Sequence, residues 1–234
     1  MSSTESSTDL LRLGHFVTFE GLDGSGKTTQ MRRLAQFLRE HGTEVIETVE
    51  PGGTQIGQAI RSILLDPAHD HMGSVAELLL YFAARAQNVH EILEPALRRG
   101  ATVISDRWTD STFAYQGYGR QLGVQIVADL DRIACGGRKP DLTLWIDVEL
   151  EASLKRARSR NAQESAEGTR MDEQSRIFYE RVLQGYRVLA EREPERFLRV
   201  DGNGTLDEVA ERVKAAYASV QKRAARQDRG LSNV

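Results

Sequence analysis

The segment Gly21–Thr28, with the sequence GLDGSGKT, constrains the fold of this chain more than any other. It matches the pattern G-x-x-x-x-G-K-[ST], follows the strand-like run Phe16–Glu20 directly, and opens a helical pattern at about Thr28. In that context glycines let backbone N–H groups turn toward phosphate oxygens, and the helix N-terminus adds positive potential. The side chain of Lys27 reaches the terminal phosphates. The segment therefore predicts a nucleotide-phosphate site.

The residues predicted to hold the nucleotide are Gly21, Leu22, Asp23, Gly24, Ser25, Gly26, Lys27, Thr28 and Thr29. The Thr28 hydroxyl is also a candidate ligand of Mg²⁺. Nucleotide binding alone does not specify a reaction, so the rest of the chain must indicate what is done with the phosphates.

Strand-like and helix-like runs alternate along the chain. Strands are predicted at 16–20, 45–49, 102–105, 141–147 and 197–200, and helices at about 28–41, 56–64, 75–99, 124–134, 150–157, 177–192 and 206–224. Pro95 is expected to kink the long third helix. Strands separated by helices predict an α/β fold with a five-stranded parallel sheet covered on both faces.

Nothing in the sequence marks a boundary between domains. We expect a flexible lead at residues 1–14, one domain over 15–225 and a flexible tail at 226–234. The stretch 158–172 is polar, charged and weakly patterned, which predicts a mobile loop within the domain.

Composition excludes several classes of protein. The 234 residues carry 31 Lys and Arg against 34 Asp and Glu, a formal net charge of −3, which argues against a general nucleic-acid coat protein. The single cysteine excludes an internal disulfide framework. No apolar run reaches the ~18 residues of a membrane helix, and the polar N-terminus lacks a signal-peptide core. We expect a soluble, cytoplasmic protein that binds neither nucleic acid nor membrane.

Three further segments follow predicted strands, where ligands bind in open α/β sheets. They are Glu50–Thr54 (EPGGT) after the second strand, Asp106-Arg107-Trp108 after the third, and the arginine-bearing loop beyond the fourth. Two phosphorylated substrates that meet in one site require several fixed cations, because phosphoryl transfer depends mostly on positioning and charge neutralisation.

Taken together, these segments resemble the thymidylate kinases. The resemblance rests on FVTFEGLDGSGKTT from Phe16, EPGGT at Glu50–Thr54, LLLYFAARAQ at Leu78–Gln87, DRWTDSTFAYQG at Asp106–Gly117 and RKPDLTLWIDV at Arg138–Val148. It runs in order through nearly the whole chain, to the last predicted strand. A phosphate loop is widespread, whereas this combination is specific to the family.

The resemblance implies a three-layer P-loop NTPase fold with a lid loop at about 158–172. It implies transfer of the γ-phosphate of ATP to dTMP, giving dTDP and ADP, with Mg²⁺, in a homodimer. Lys27 then serves the donor, and Arg107 resembles the arginine that grips the acceptor phosphate. Asp106 resembles the carboxylate that anchors Arg107 or a Mg²⁺-bound water. Arg170 best matches a lid arginine that closes over the transferring group.

The resemblance also assigns the acceptor pocket. Asp23 corresponds to the position that meets the sugar 3′-hydroxyl or Mg²⁺. Tyr81 resembles the aromatic residue that stacks on thymine, and only one of Tyr81 and its neighbour Phe82 is expected to do so. Arg85, one helical turn on, resembles the arginine that bonds a thymine carbonyl. The remaining pocket residues are Thr112 at the base N3 edge, Tyr115 at the sugar 2′ position, and Ser111 and Gln116 in the wall.

Two positions depart from the family pattern. Val49 stands where a basic residue often precedes Glu50-Pro51, so an acceptor-phosphate contact is absent or supplied by another cation such as Arg61. Gly24 stands where eukaryotic-type members carry an arginine in the phosphate loop. The bacterial-type solution supplies that cation from the lid, which here offers Arg156, Arg158, Arg160 and Arg170.

Other readings of the phosphate loop remain open. Another nucleoside monophosphate kinase or a deoxynucleoside kinase would share most of these features. A GTP-dependent switch protein is disfavoured because the chain has no Asn-Lys-x-Asp segment, and a nucleic-acid ATPase is disfavoured by the acidic balance. The histidines and Cys135 show no spacing that indicates metal or thiol chemistry.

Overall fold

The structure, a computed structural model, describes residues 14–164, 170–171 and 174–231. Five strands form one sheet: β1 (Phe16–Glu20), β2 (Val45–Val49), β3 (Thr102–Asp106), β4 (Leu142–Asp147) and β5 (Phe197–Asp201). All pairings are parallel, in the order β2-β3-β1-β4-β5. The predicted five-stranded parallel sheet is therefore confirmed.

The described helices are α1 (Lys27–Glu40), α2 (Gln55–Leu65), α3 (Ser74–Asn88), α4 (Glu94–Arg98), α5 (Thr109–Thr112), α6 (Val124–Cys135), α7 (Leu150–Glu164), α8 (Arg176–Arg192) and α9 (Leu206–Leu231). A π-helical turn, Val89–Leu93, joins α3 to α4, and a second, Phe113–Gly119, extends α5. A 3₁₀ turn at Pro67–His69 follows α2. None of the helices in the described ranges is long and apolar enough to cross a membrane.

Alternate strand residues point to opposite sides of the sheet. Because apolar side chains point to both sides, helices cover both faces. On one face Val17 and Phe19 pack with Leu34 of α1 and Val213 of α9. On the other face Trp145 packs in a second cluster that draws on α8 and the turn after α5. The sheet is thus buried on both sides, as a parallel sheet requires.

The order of the strands positions the site. β1 lies between β3 and β4, so the chain leaves the sheet in opposite directions from neighbouring strands, which opens a crevice at their carboxyl ends. Phe19 pairs with Asp106, and Asp106 pairs with Val49, so the ends of β1, β2 and β3 lie level. The three segments that follow these strands consequently meet at one edge.

Several predicted boundaries were wrong. The helix predicted at 150–157 continues to Glu164, so the first half of the expected loop at 158–172 is helical, while 165–169 and 172–173 lie outside the described residues. The last helix continues to Leu231 through most of the expected flexible tail, since Ala, Arg and Gln favour helix there. Residues 1–13 and 232–234 lie outside the described residues, but Gly14 donates to the Leu97 carbonyl at 3.0 Å.

Two features of the helices escaped the sequence patterns. The run 109–119 is helical although its buried faces give no simple apolar period. At Pro95 the long helix is not simply kinked: the π turn Val89–Leu93 precedes it and joins the two helical pieces. A π turn accommodates an extra residue within a helix and is one of the recognised alternatives to a proline kink.

Candidate active site

One cavity of about 630 Å³ lies at the carboxyl edge of the sheet. The predicted site residues that line it are Asp23, Gly24, Gly26, Lys27, Thr28, Thr29, Tyr81, Arg85, Asp106, Arg107, Ser111, Thr112, Tyr115 and Gln116. Gly21, Leu22 and Ser25 belong to the same loop without lining the cavity, and Arg170 does not line it either. Side chains separated by almost a hundred positions are therefore brought into one space.

The phosphate loop forms the floor of this cavity. Gly26 adopts φ +90° and precedes α1 without a side-chain cap, which leaves the first N–H groups of the helix available to an anion. The Lys27 ammonium is buried and lies 3.5 Å from the Leu22 carbonyl and 3.3 Å from an Asp23 carboxylate oxygen. Burial, followed by the nearby Arg107, lowers the pKa of Lys27. A bound phosphate would add negative charge beside this lysine and favour its charged form.

Thr28 and Asp106 face each other across the floor. The Thr28 hydroxyl donates to a carboxylate oxygen of Asp106, and both residues line the cavity. A hydroxyl and a carboxylate are hard oxygen donors of the kind that Mg²⁺ takes beside nucleotide phosphates, so the pair fits that ion. Among the described residues no group of three or more His, Cys, Asp or Glu could form a dedicated metal cage. A metal here would share its coordination with a nucleotide.

Arg107 occupies the centre of the site in a strained conformation. Its φ of +72° is in the left-handed region, which is rare for residues other than glycine. One guanidinium nitrogen donates to Ser111 Oγ at 2.9 Å and the other to Asp23 at 2.9 Å, while the group stacks 4.9 Å above the Tyr115 ring. Backbone strain of this kind concentrates at functional sites.

Asp23, rather than Asp106, anchors Arg107. The sequence placed Asp106 beside Arg107 as its possible anchor, but the Asp106 side chain turns to Thr28 and Asp23 takes the ion pair. Burial alone would raise the pKa of Asp23, but Arg107 and Lys27 outweigh it and hold that pKa well below its usual range. Asp23 is therefore a permanent carboxylate between the two central cations.

Tyr81 and Phe82 separate as the sequence suggested that they should. Tyr81 lines the cavity, whereas Phe82 is buried in a small cluster with Leu78 and Val127. Arg85 follows on the same face of α3 and also lines the cavity, with its guanidinium 5.0 Å from the Phe82 ring. An aromatic ring and a guanidinium thus share one end of the space.

Arg85 forms a buried ion pair with Glu50, at 3.6 Å between its Nε and the carboxylate. The Nε and Nη1 atoms of Arg85 and both carboxylate oxygens of Glu50 are buried without a hydrogen-bond partner. Burial raises the pKa of Glu50 to about 8, despite the opposing effect of Arg85. Unpaired buried donors beside a cavity indicate that a polar ligand edge belongs there.

The helical segment after Arg107 forms the far wall. Thr112 and Gln116 are buried and line the cavity, and Gln116 donates to Glu77 of α3 at 2.8 Å. Tyr115 is also a lining residue, and its hydroxyl accepts from Arg107 at 3.3 Å. This wall was identified through its motif, although its helical conformation was not foreseen.

Arg170 does not lie free in a loop as expected. It is 3% exposed, donates from Nε to the Leu64 carbonyl at 3.0 Å and forms an ion pair with Glu77. Burial alone would raise the pKa of Glu77, but hydrogen bonds from Arg120, Gln116 and Arg170 lower it. In this arrangement Arg170 ties the segment before α8 to α2 and α3.

α7 explains why Gly24 carries no side chain. A Cβ at Gly24 would lie 2.2 Å from the Ser153 carbonyl oxygen and 2.8 Å from the Ala157 nitrogen. Ser153 also donates to the Asp23 carbonyl at 2.8 Å, so α7 packs directly on the loop. Arg156 of α7 is exposed, and its β-carbon would lie 3.1 Å from a Cβ at Gly24. It therefore places a cationic residue beside the phosphate loop.

The cavity also contains lining residues that the sequence did not single out. They are Arg32, Glu50, Pro51, Leu65 and Met171. Arg61, named as a substitute for the absent basic residue at Val49, lines the cavity together with Val49 and donates to the Pro51 carbonyl at 2.8 Å. None of them was marked by a periodic pattern, although Glu50 and Pro51 lay inside a motif already noted.

The fold and the site together define an α/β protein of the P-loop nucleotide-binding class. The family model for thymidylate kinase matches residues 19–213. Thymidylate kinase from Desulfosudis oleivorans is 50% identical over 207 residues, 88% of this chain and 97% of that protein. Thymidylate kinase from Geobacter sulfurreducens is 47% identical over 202 residues, 86% and 95% of the two chains.

A solved structure agrees with the sequence comparisons. Thymidylate kinase from Ehrlichia chaffeensis superposes with a TM-score of 0.70 at 32% identity, over 88% of this chain and 98% of that one. The chain belongs to the thymidylate kinase family.

Proposed function

We propose that this protein transfers the γ-phosphoryl group of ATP to dTMP, giving dTDP and ADP. The observation that carries the proposal is that one cavity contains Lys27 of the phosphate loop, Arg107, and the Tyr81–Arg85 end. A donor and an acceptor that occupy its two ends would bring their phosphates together at Arg107. Such positioning accounts for most of the catalysis of phosphoryl transfer.

At the donor end the loop Gly21–Thr28, with Thr29, holds the phosphates of ATP. The free N–H groups at the start of α1 bind phosphate oxygens, and Lys27 neutralises the charge that develops on the transferred group. Thr28 and Asp106 would hold Mg²⁺, which supplies further charge neutralisation on the phosphate oxygens when bound.

At the centre Arg107 holds the acceptor phosphate. Asp23, Ser111 and Tyr115 fix its guanidinium from three sides, so little side-chain entropy is lost when the phosphate binds. Asp23 remains ionised beside it and offers an acceptor to the sugar 3′-hydroxyl.

At the acceptor end Tyr81 stacks on the base and Arg85 donates to a thymine carbonyl through its unpaired nitrogens. Thr112 meets the N3 edge, and Ser111 and Gln116 complete the wall. Tyr115 crowds the sugar 2′ position and so disfavours ribonucleotides by steric clash.

The lid cation requires revision of the residue suggested by sequence. Arg156 lies beside Gly24 on a helix that packs against the phosphate loop, whereas Arg170 is occupied by Glu77. We assign Arg156 to the donor phosphates. Arg170 would join the reaction only if its ion pair with Glu77 opened.

We also propose that the protein is a cytoplasmic homodimer. Ile56 and Ile63 of α2 and Val75 and Leu79 of α3 are each at least 43% exposed, and α3 packs against α2. A second copy of the same surface would bury these side chains by two-fold symmetry. Leu79→Arg should convert the dimer to a monomer in analytical ultracentrifugation, and an unchanged sedimentation mass would contradict this interface.

The function is tested by a coupled ADP-release assay with ATP and a panel of acceptors: dTMP, dUMP, UMP, dCMP and AMP. We expect dTMP to give the highest kcat/KM. A preference for AMP or dCMP would assign the chain to another nucleoside monophosphate kinase activity.

The role of Tyr115 is tested in the same assay. Tyr115→Ala should raise the kcat/KM for a ribonucleotide relative to dTMP, because removal of a crowding side chain relaxes rejection. An unchanged deoxy-to-ribo ratio would place the discrimination on another residue.

A further inference from the structure

We propose that Glu20 is a positioning residue for Arg107, which it holds through Ser111 and through the backbone turn that follows β3. The proposal rests on the function proposed above, in which Arg107 grips the acceptor phosphate. Glu20 does not line the cavity, so its effect on the reaction must pass through other residues.

Glu20 ends β1 and is fully buried, yet both carboxylate oxygens are occupied by donors. Oε1 accepts from the Trp108 N–H at 2.8 Å and the Ser111 N–H at 3.3 Å. Oε2 accepts from the Ser111 hydroxyl and from the Tyr186 hydroxyl at 3.0 Å. A buried carboxylate with four converging donors is held in one orientation.

These donors surround Arg107 in sequence and in space. Trp108 follows it directly, and Ser111 lies in α5, the short helix that comes next. Ser111 Oγ also accepts from Arg107 Nη1 at 2.9 Å, and the Tyr186 hydroxyl accepts from the same nitrogen at 3.4 Å. Glu20 is therefore connected to the guanidinium by two routes, each through one intervening hydroxyl.

The backbone of Arg107 needs this support because its φ of +72° is unfavourable for a side chain with a Cβ. The Arg107 N–H donates to the Phe19 carbonyl at 3.0 Å, and Ser105 Oγ donates to the Arg107 carbonyl at 2.7 Å. Glu20 holds the following residue by accepting a hydrogen bond from the Trp108 N–H. Its carboxylate thus helps to keep a strained arginine aimed into the cavity.

The role proposed for Glu20 requires a hydrogen-bond acceptor at both carboxylate oxygens. Burial and the neighbouring Asp110 raise its pKa to about 7, while Arg107 opposes the rise. Glutamine would present one acceptor oxygen and an NH₂ group, which would face donors of Ser111 or Tyr186. Glu20→Gln keeps the side-chain volume and removes one of the two acceptor oxygens.

The decisive measurement is calorimetric binding of dTMP and of thymidine, which lacks the phosphate, to the full-length wild type and Glu20→Gln. We expect the Kd for dTMP to rise at least tenfold and the Kd for thymidine to change by less than twofold. Equal weakening of both ligands, or of neither, would overturn the proposal. Glu47→Gln, which removes a carboxylate from a surface ion pair, is the matched control.

A double-mutant cycle tests whether the effect passes through Arg107. In an Arg107→Ala background, Glu20→Gln should change the Kd for dTMP by less than twofold. Additive losses would show that Glu20 acts independently of Arg107 and would overturn the proposal.

Tyr186→Phe provides the same test if Glu20→Gln does not fold. It keeps the ring stacked 5.7 Å from Trp145 and deletes only the hydroxyl. We expect dTMP binding to weaken about threefold, again without an effect on thymidine. If wild-type protein makes no dTDP, the proposed function fails and this role with it; if it makes dTDP but the losses are not phosphate-selective, only this role fails.

Discussion

Arg107 is partly buried and Arg170 fully buried, and each has a carboxylate partner, but the regions around them are built differently. Arg107 faces a cavity, and Asp23, which pairs with it, lines the same cavity. Arg170 faces Glu77 and the Leu64 carbonyl, outside that cavity. A charge with an open side can bind a ligand, whereas a charge enclosed by its partners connects parts of the fold.

Substitution of Arg107 should reduce activity more than any other change considered. Arg107→Ala should lower kcat/KM for dTMP at least 1,000-fold, about 4 kcal/mol of transition-state stabilisation. The thermal midpoint should change little, because the Arg107–Asp23 pair is partly exposed and Asp23 keeps its ion pair with Lys27. Steady-state kinetics and calorimetry measure the two effects. A loss below tenfold would mean that another cation grips the acceptor phosphate.

Arg170→Ala should show the opposite balance. Removal of one partner of a buried ion pair leaves Glu77 undercompensated and should cost about 3 kcal/mol of unfolding free energy. For a chain of this size the thermal midpoint should fall by roughly 6–12 °C, while kcat stays within about tenfold of wild type. The exposed Arg158→Ala is the matched control. A hundredfold loss of kcat at unchanged stability would restore Arg170 as a catalytic lid arginine.

Gly24 lies where the phosphate loop contacts α7, the helix that packs on it. Gly24→Ala should cost at least about 2 kcal/mol of stability, since its Cβ would overlap the Ser153 carbonyl and its φ is +80°. Gly26→Ala is the control: φ is +90°, but no atom lies within 4 Å of the added carbon. Urea unfolding measures both variants, and equal losses would exclude the steric contribution of α7.

The smallest expected change is in the pH dependence of the free energy of unfolding. Burial raises the folded-state pKa of Glu20 to about 7 and of Glu50 to about 8. The folded protein then binds more protons than the unfolded chain above pH ~4.5, so the free energy of unfolding should fall as pH rises from 5 to 8. Glu50→Gln should make this slope shallower by roughly 1 kcal/mol per pH unit. An unaltered slope would mean that Glu50 is ionised throughout.

The pKa of Asp23 is shifted in the opposite direction, so Asp23 does not titrate between pH 5 and 8. Its depressed pKa means that its contribution to stability is complete above the unfolded-state pKa and is lost only in strong acid. Glu20 and Glu50, whose pKa values are raised, should affect stability near neutral pH, whereas Asp23, whose pKa is lowered, should not.

Local sequence was sufficient to predict the phosphate loop and the parallel sheet, and the resemblance to the thymidylate kinases supplied most of the cavity wall. Gly21–Thr28 requires only a strand, a turn and a helix in succession, and β2 was predicted without error at Val45–Val49. The segments after β1, β2 and β3 could be expected to meet because carboxyl ends of parallel strands share an edge.

Tertiary structure alone decided which charges face each other. Asp23 instead of Asp106 holds Arg107, and Glu77 holds Arg170, because partners of a buried ion pair come from elements distant in sequence. No periodic pattern marks such pairs. Glu20 was visible only as the last residue of a strand; its four hydrogen bonds come from Trp108, Ser111 and Tyr186, which packing of α8 against the turn after β3 brings to it.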